Sequence, residues 1–227
     1  MNVVLFGATG MVGQGVLREC LLDSGVEHVL IVVRQSTKQQ HAKLHELVHR
    51  DFLDFSSAEA ELRGYDACFY CLGVASAGMR EADYSRITHD FTLAAATTLA
   101  KMNPAMTFVF VSGAGTNASS RVMWSRVKGR TEDEVMRLPF AAVFIFRPKV
   151  IQPLHGITSR TAAYRIFYAA MKPVMPILVK AFPKHVSTTE RIGRAMLAVA
   201  RRGYPKRILE SIDINAAAAG YENAPRF

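Results

Sequence analysis

Three glycines in Gly7-Ala8-Thr9-Gly10-Met11-Val12-Gly13 can act only through their backbone, and their spacing says how. They follow the short apolar run Val3–Phe6 and open a helical pattern at about residue 11. Gly7 permits a tight turn off the strand, Gly10 lets the backbone approach a ligand without a Cβ in the way, and Gly13 lets the helix lie close to the sheet. With Thr9, Met11 and Val12 between them, they form a cradle of free N–H groups at a helix N-terminus, the natural seat of a pyrophosphate. The spacing is one residue longer between the first two glycines than the G-x-G-x-x-G form of dinucleotide-binding turns. Strand, glycines, helix and second strand come in the order such a unit needs, so the expected ligand is a dinucleotide.

The end of the second apolar run selects which one. Units that bind NAD(H) place Asp or Glu there to hold the ribose 2′-hydroxyl. This chain has Arg34, followed by Gln35-Ser36-Thr37-Lys38, and no carboxylate in that run. A guanidinium pairs with a 2′-phosphate through two parallel hydrogen bonds and stacks on adenine. The sequence therefore favours NADP(H) over NAD(H).

These residues require a scaffold that aligns several loops. Apolar runs at Val3–Phe6, His28–Val33, Leu44–His49, Ala67–Leu72, Phe108–Ser112 and Ala141–Phe146 alternate with helical patterns at about 11–23, 80–101 and 121–138, and a weaker one near 56–63. Several runs are apolar throughout rather than alternating, as in strands covered on both faces. The series predicts an α/β fold, a Rossmann-type doubly wound parallel sheet in a single domain over 1–227. After Arg147-Pro148 the pattern becomes helix-rich, at 159–182 (broken by Pro173 and Pro176) and 189–202. Ser187, Thr188 and Thr189 are candidate caps for the second of these, and Gly203 follows it. A late strand is expected within Lys206–Ile214, and the last dozen residues read as a tail. The stretch 147–227 is expected to be a small helical substrate-side cap.

Half of the chain is hydrophobic and 21 % is charged, an ordinary composition for a domain with a full core. The net charge of +9 is uneven: Arg147 to Arg207 holds thirteen Lys and Arg against Glu190 alone. Such a field attracts anions, among them phosphorylated small molecules and anionic lipid. No nucleic-acid-binding motif accompanies it, so no nucleic-acid partner is expected. The apolar, cation-spaced stretch from Ala162 to Lys180 is too broken to span a bilayer. It could pack on the sheet, rest peripherally on an anionic membrane, line a substrate pocket or join two copies, leaving monomer and homodimer both open. Met1-Asn2 leads straight into a strand without a secretory pattern, and three cysteines make an odd count. Both point to a reducing compartment, and the expected location is the cytoplasm.

Cys68 and Cys71 have redox spacing, but they fall within an apparent strand, and no second pair exists to complete a zinc site. They read as structural. The seven histidines are scattered without metal-ligand spacing, so no metal is expected.

Together the motifs resemble the atypical short-chain dehydrogenase/reductases, in particular the NAD(P)H-binding, NAD-dependent epimerase/dehydratase-like branch. The glycine loop carries the resemblance, with Arg34, Asp51-Phe52 after strand three, Cys71-Leu72-Gly73 after strand four, Ser112-Gly113 after strand five, Lys128 in the next helix and Arg147-Pro148 after strand six. It implies that Asp51 and Phe52 border the adenine and that Leu72 and Gly73 let the backbone pass the cofactor. Ser112 would stand at the active-site serine position, Lys128 would hydrogen-bond the nicotinamide ribose, and Pro148 and Val150 would flank the nicotinamide end. The implied activity is hydride transfer to a small carbonyl-containing or otherwise reducible compound.

One position departs from that family. Its catalytic helix carries Tyr-x-x-x-Lys, which sets both side chains on one face so that the ammonium lowers the phenol pKa. Here the stretch is Trp124-Ser125-Arg126-Val127-Lys128. An indole N–H donates a hydrogen bond but does not titrate as an acid or base. Three readings follow: a cofactor-binding sensor or scaffold without catalysis; a proton supplied by another residue, with Tyr84, Tyr164, Tyr168 and His155 as candidates; or hydride transfer with water or substrate handling the proton.

Overall fold

The computed structural model describes residues 1–158, 182 and 184–222. Its strands are β1 (Asn2–Phe6), β2 (His28–Val33), β3 (Leu44–Val48), β4 (Ala67–Tyr70), β5 (Thr107–Val111), β6 (Ala142–Arg147), β7 (Val150–Gln152), β8 (Val186–Thr188) and β9 (Ile208–Glu210). Its helices are α1 (Met11–Leu22), α2 (Glu81–Ser85), α3 (Phe91–Met102), α4 (Met123–Val135), α5 (Thr189–Arg202) and α6 (Ser211–Glu222). The helical segment 159–182 expected from sequence, with Tyr164 and Tyr168 in it, lies outside the described residues apart from Phe182.

Seven strands form one parallel sheet in the order β3-β2-β1-β4-β5-β6-β9. The chain runs outward from β1 to β3, then returns to place β4 on the other side of β1. That reversal opens a crevice beyond the carboxyl ends of β1 and β4, where doubly wound folds take their ligands. A short parallel pair, β7 with β8, lies apart from the main sheet.

The core has two sides because β1 alternates. Val3 and Leu5 pack with α1, α5 and α6, while Val4 and Phe6 pack with Phe52, Phe55, α3 and α4. In the C-terminal stretch, α5 and α6 complete the helix layer beside α1, and β9 extends the central sheet. Thr188 caps α5 by accepting from the Arg191 amide at 3.0 Å, and Gly203 ends it at φ 67°. The expected late strand stops at Glu210, because Ser211 begins α6, and most of the segment read as a tail is helix. The weak helix near 56–63 is a single 3-10 turn at Ser56–Ala58. The long helix at 80–101 is interrupted by one wide turn at Arg86–Asp90.

Candidate functional site

The glycine loop has the geometry its spacing implied. Gly7 lies at φ +78°, and a Cβ there would come within 2.5 Å of the Leu72 amide nitrogen, so the turn off β1 rests on the backbone leaving β4. A Cβ on Gly13 would come within 2.0 Å of the Gly7 carbonyl oxygen, so α1 is pressed onto the loop. The Gly10 amide donates to that carbonyl at 2.9 Å and closes the turn. The first turn of α1 carries no acidic residue to neutralise its free amides. Gly73 has open space where its Cβ would be, beside the same crevice. This is a cradle that a pyrophosphate fits.

Arg34 emerges directly beyond β2 and is exposed. The carboxylate missing from the sequence after β2 arrives from β3 instead. Glu46 accepts from Ser36 Oγ at 2.6 Å, from the Thr37 amide at 3.0 Å and from Thr37 Oγ1. Asp51 is exposed and accepts from the Leu53 amide on its own loop at 2.9 Å. Phe52 is buried against Phe6, Phe55 and Phe91, so its side chain is core and only its backbone is left to border a ligand.

At the end of β5, the Ser112 amide donates to the Phe146 carbonyl at 2.7 Å. Its hydroxyl lies 3.1 Å from Thr116 Oγ1, which donates to the Gly113 carbonyl at 2.7 Å. With the Thr116 proton committed there, Ser112 is the donor to Thr116. Helix α4 is drawn onto this loop by Gly129, where a Cβ would come within 2.2 Å of the Ala118 amide nitrogen. Ser125 ties the two together, donating to the Gly115 carbonyl at 2.7 Å and accepting from the Asn117 amide at 3.0 Å. Thr116, Ser125 and Gly129 carry no motif signal and were missed from sequence; the Gly113–Ser120 run between strand and helix was the available hint.

Lys128 points back to the sheet and donates from Nζ to the Val111 carbonyl at 3.3 Å. Burial pushes its pKa down from 10.5 to about 8, against the opposing charge of Glu132 one turn on. Glu132 is itself buried and holds Arg147 at the end of β6, with Nε 3.1 and 3.2 Å from its two oxygens. Trp124 lies over the loop after Ser112, its ring carbons 3.9 and 3.8 Å from where Cβ atoms of Gly113 and Gly115 would be. The indole therefore stands over Gly113 and Gly115, and Trp124 is one helical turn from Lys128. Beyond β6, the Pro148 carbonyl accepts from the Ala114 amide at 3.2 Å, and Val150 begins β7 beside Val186. Ser112, Trp124, Lys128 and Pro148 thus converge on the ends of β5 and β6.

The other proton candidates differ. Tyr84 is buried in α2, and burial raises its pKa. His155 is exposed and paired with Glu190 at 2.5 Å. Cys68 is fully buried in β4, and burial raises the pKa of both Cys68 and Cys71, which keeps them as neutral thiols. Among the described residues, no group of His, Cys, Asp and Glu could hold a metal ion, and no helix is long and apolar enough to cross a membrane.

Residues 7–138, the stretch from the glycine loop through α4, match the family described as NAD(P)H-binding. The chain belongs to that family. This NAD(P)H-binding protein is 32 % identical over 150 residues to "Protein FMP52-2, mitochondrial" of Scheffersomyces stipitis, covering 65 % of each chain. It is 29 % identical over 154 residues to "Protein HTATIP2" of Rattus norvegicus, over 66 % of this chain and 62 % of that one. It therefore spans less than two thirds of either relative. Its fold is similar to the Bordetella bronchiseptica enzyme WbmF in complex with NAD+, at TM-score 0.66 and 17 % identity, covering 97 % of this chain and 77 % of that one. It is similar also to a UDP-N-acetylglucosamine 4-epimerase from Methanobrevibacter ruminantium, at TM-score 0.67 and 14 % identity, over 92 % and 75 % of the two chains. The expectation holds for an NAD(P)H-binding family and for a Rossmann-type fold. The expected cytoplasmic location does not. Several relatives are named mitochondrial, and a strand-first N-terminus with an odd cysteine count does not separate a mitochondrial protein from a cytoplasmic one.

Proposed function

We propose that this NAD(P)H-binding chain takes NADP(H) in preference to NAD(H) and acts as an oxidoreductase on a small carbonyl-containing or otherwise reducible compound. The observation that carries the reading is the meeting of Lys128 and Ser112 at the carboxyl end of β5, beside a glycine loop shaped for a pyrophosphate. When bound, the nicotinamide supplies the hydride. Arg34 pairs with the 2′-phosphate, the amides of Thr9 to Gly13 hold the pyrophosphate, and Lys128 fixes the ribose. Leu72 and Gly73 leave room at the crevice, Asp51 and the Phe52 backbone border the adenine, and Pro148 and Val150 flank the nicotinamide end. Ser112 turns its hydroxyl proton from Thr116 to the substrate oxygen.

Trp124 favours a second reading, a cofactor-binding sensor or regulator without turnover, because the resemblance puts a tryptophan at the position of the proton-donating tyrosine, four residues before Lys128. Side-by-side titration with NADPH and NADH tests the cofactor, and tighter NADPH binding is expected. A screen of carbonyl compounds for NADPH oxidation separates the two functions. Turnover that is abolished in Lys128→Ala supports the enzyme; NADPH binding without turnover on any carbonyl supports the regulator.

A further inference from the structure

We infer that Glu46 is a positioning residue for cofactor choice: by binding Ser36 and Thr37 it fixes the loop that presents Arg34 and turns its own carboxylate away from the ribose. The inference rests on the NADP(H) reading above and names the device behind it.

The bonding is closed on itself. Ser36 Oγ donates to Glu46 Oε2 at 2.6 Å and accepts from the Lys38 amide at 3.2 Å. Thr37 donates from its amide to Oε1 at 3.0 Å and from Oγ1 to the same oxygen, and Oγ1 accepts from the Gln39 amide at 3.2 Å. Lys38 takes φ +59°, the left-handed turn that brings these groups together. Both carboxylate oxygens are thus engaged with the loop. Hydrogen bonds from Ser36 and Thr37 hold the carboxyl below its usual range despite the opposing effect of burial, so it stays ionised at neutral pH.

Its position in the sheet gives this consequence for the site. Glu46 pairs in register with Ile31 of β2 and shares its face of β3 with Leu44, which packs on the α1 side of the core. The loop is therefore pinned on the side where α1 presents its N-terminus. Arg34, at the start of that loop, has no ion-pair partner among the described residues. A carboxylate near the end of β2 ordinarily accepts from a ribose 2′-hydroxyl and repels a 2′-phosphate. Here its lone pairs are directed to two hydroxyls and an amide, which leaves Arg34 as the group facing the ligand.

The test is fluorescence titration of the full chain with NADPH and with NADH, with thermal midpoints confirming that each variant is folded. Glu46→Ala should weaken NADPH binding about tenfold, the order of one charge-assisted contact, and leave NADH within about twofold. Glu46→Gln, which keeps an acceptor for Thr37, should restore most of the NADPH affinity. The double variant Ser36→Ala/Thr37→Val frees the carboxylate and should lower the NADPH to NADH preference without changing net charge; it decides the matter if Glu46→Ala does not fold. An unchanged or raised preference in Glu46→Ala, or equal damage from Gln and Ala, overturns the inference. Wild type judges the cofactor reading separately: equal affinity for both dinucleotides removes the NADP(H) preference, while a selective loss of NADPH in Glu46→Ala still supports the positioning role.

Discussion

Lys128 Nζ donates to the Val111 carbonyl oxygen at 3.3 Å, which sets an ammonium at the end of β5, one residue before Ser112. That place is mostly dry, and burial lowers the lysine pKa from 10.5 to about 8. The folded state therefore disfavours the charged form, and below pH 8 the full cost of holding it is present. Between about 8 and 10.5 the unfolded chain binds more protons than the folded one, so this contribution to stability improves as pH rises through that window. Lys128→Met, which keeps the stem and removes the charge, should raise the thermal midpoint by a few degrees at pH 7. The gap to wild type should shrink by pH 10. A gap that stays constant from pH 7 to 10 would show that Lys128 is not strained by burial.

Trp124 and Lys128 stand one helical turn apart, the separation at which a phenol and an ammonium share a helix face. Trp124→Tyr should therefore place a titrating donor on the helix face of Lys128, over the loop that follows Ser112. A positioned general acid is worth about 10²-fold or more, so the variant should reduce carbonyl compounds about 10²-fold faster than wild type. The gain should vanish in Trp124→Tyr/Lys128→Ala, with NADPH affinity measured in each. A folded, NADPH-binding Trp124→Tyr protein with no gain on any carbonyl would show that the site is not arranged for this chemistry.

The parts of this site that were legible in the sequence are those fixed by backbone rules. Gly7, Gly10 and Gly13 have one physical reason to be spaced as they are, and the apolar runs mark the strands because both faces of the sheet are covered. The Thr188 cap and Gly203 stop were readable for the same reason. What escaped depends on contacts between segments. Glu46 meets Ser36 and Thr37 only because a loop folds back along β3, and in the sequence it appears simply as a charge within a strand. Helix α6 was read as the end of a strand through Ile214 and then as a tail, although Ile214, Ala217 and Ala218 are buried in the core with α5. Phe52 is itself one of the motif residues, yet its side chain belongs to the aromatic cluster beneath.

Gly13 and Gly73 offer a way to separate fold from binding. A methyl on Gly13 would meet the Gly7 carbonyl oxygen at 2.0 Å, a contact no rotamer can relieve. Gly13→Ala should cost about 1–3 kcal/mol of stability by urea denaturation and also lose NADPH binding. A methyl on Gly73 meets nothing within 4 Å. Gly73→Ala should melt like wild type and yet bind NADPH about tenfold more weakly, because its new methyl occupies space given to the cofactor. Unchanged NADPH affinity in Gly73→Ala would move the cofactor away from the end of β4.

Glu132 and Arg147 join α4 to the end of β6, and the carboxylate is 1 % exposed while the arginine side chain is 20 % exposed. Removing one member leaves the other's charge without its partner, which costs more than the pair is worth. Glu210, 3.9 Å from Arg147, offers partial compensation. Glu132→Gln should then destabilise the chain by about 2–3 kcal/mol, less than the loss of a fully buried pair. The urea midpoint should fall while the slope stays constant, because the same surface is exposed on unfolding. Glu132→Leu/Arg147→Met should recover most of the loss, since two apolar side chains fill the space without stranding a charge. The double variant also removes the charge that supports protonation of Lys128, so the Lys128 pKa should fall further below 8 in it. A double variant as unstable as Glu132→Gln would show that the pair is needed for its hydrogen-bond geometry at the end of β6 and not for charge balance.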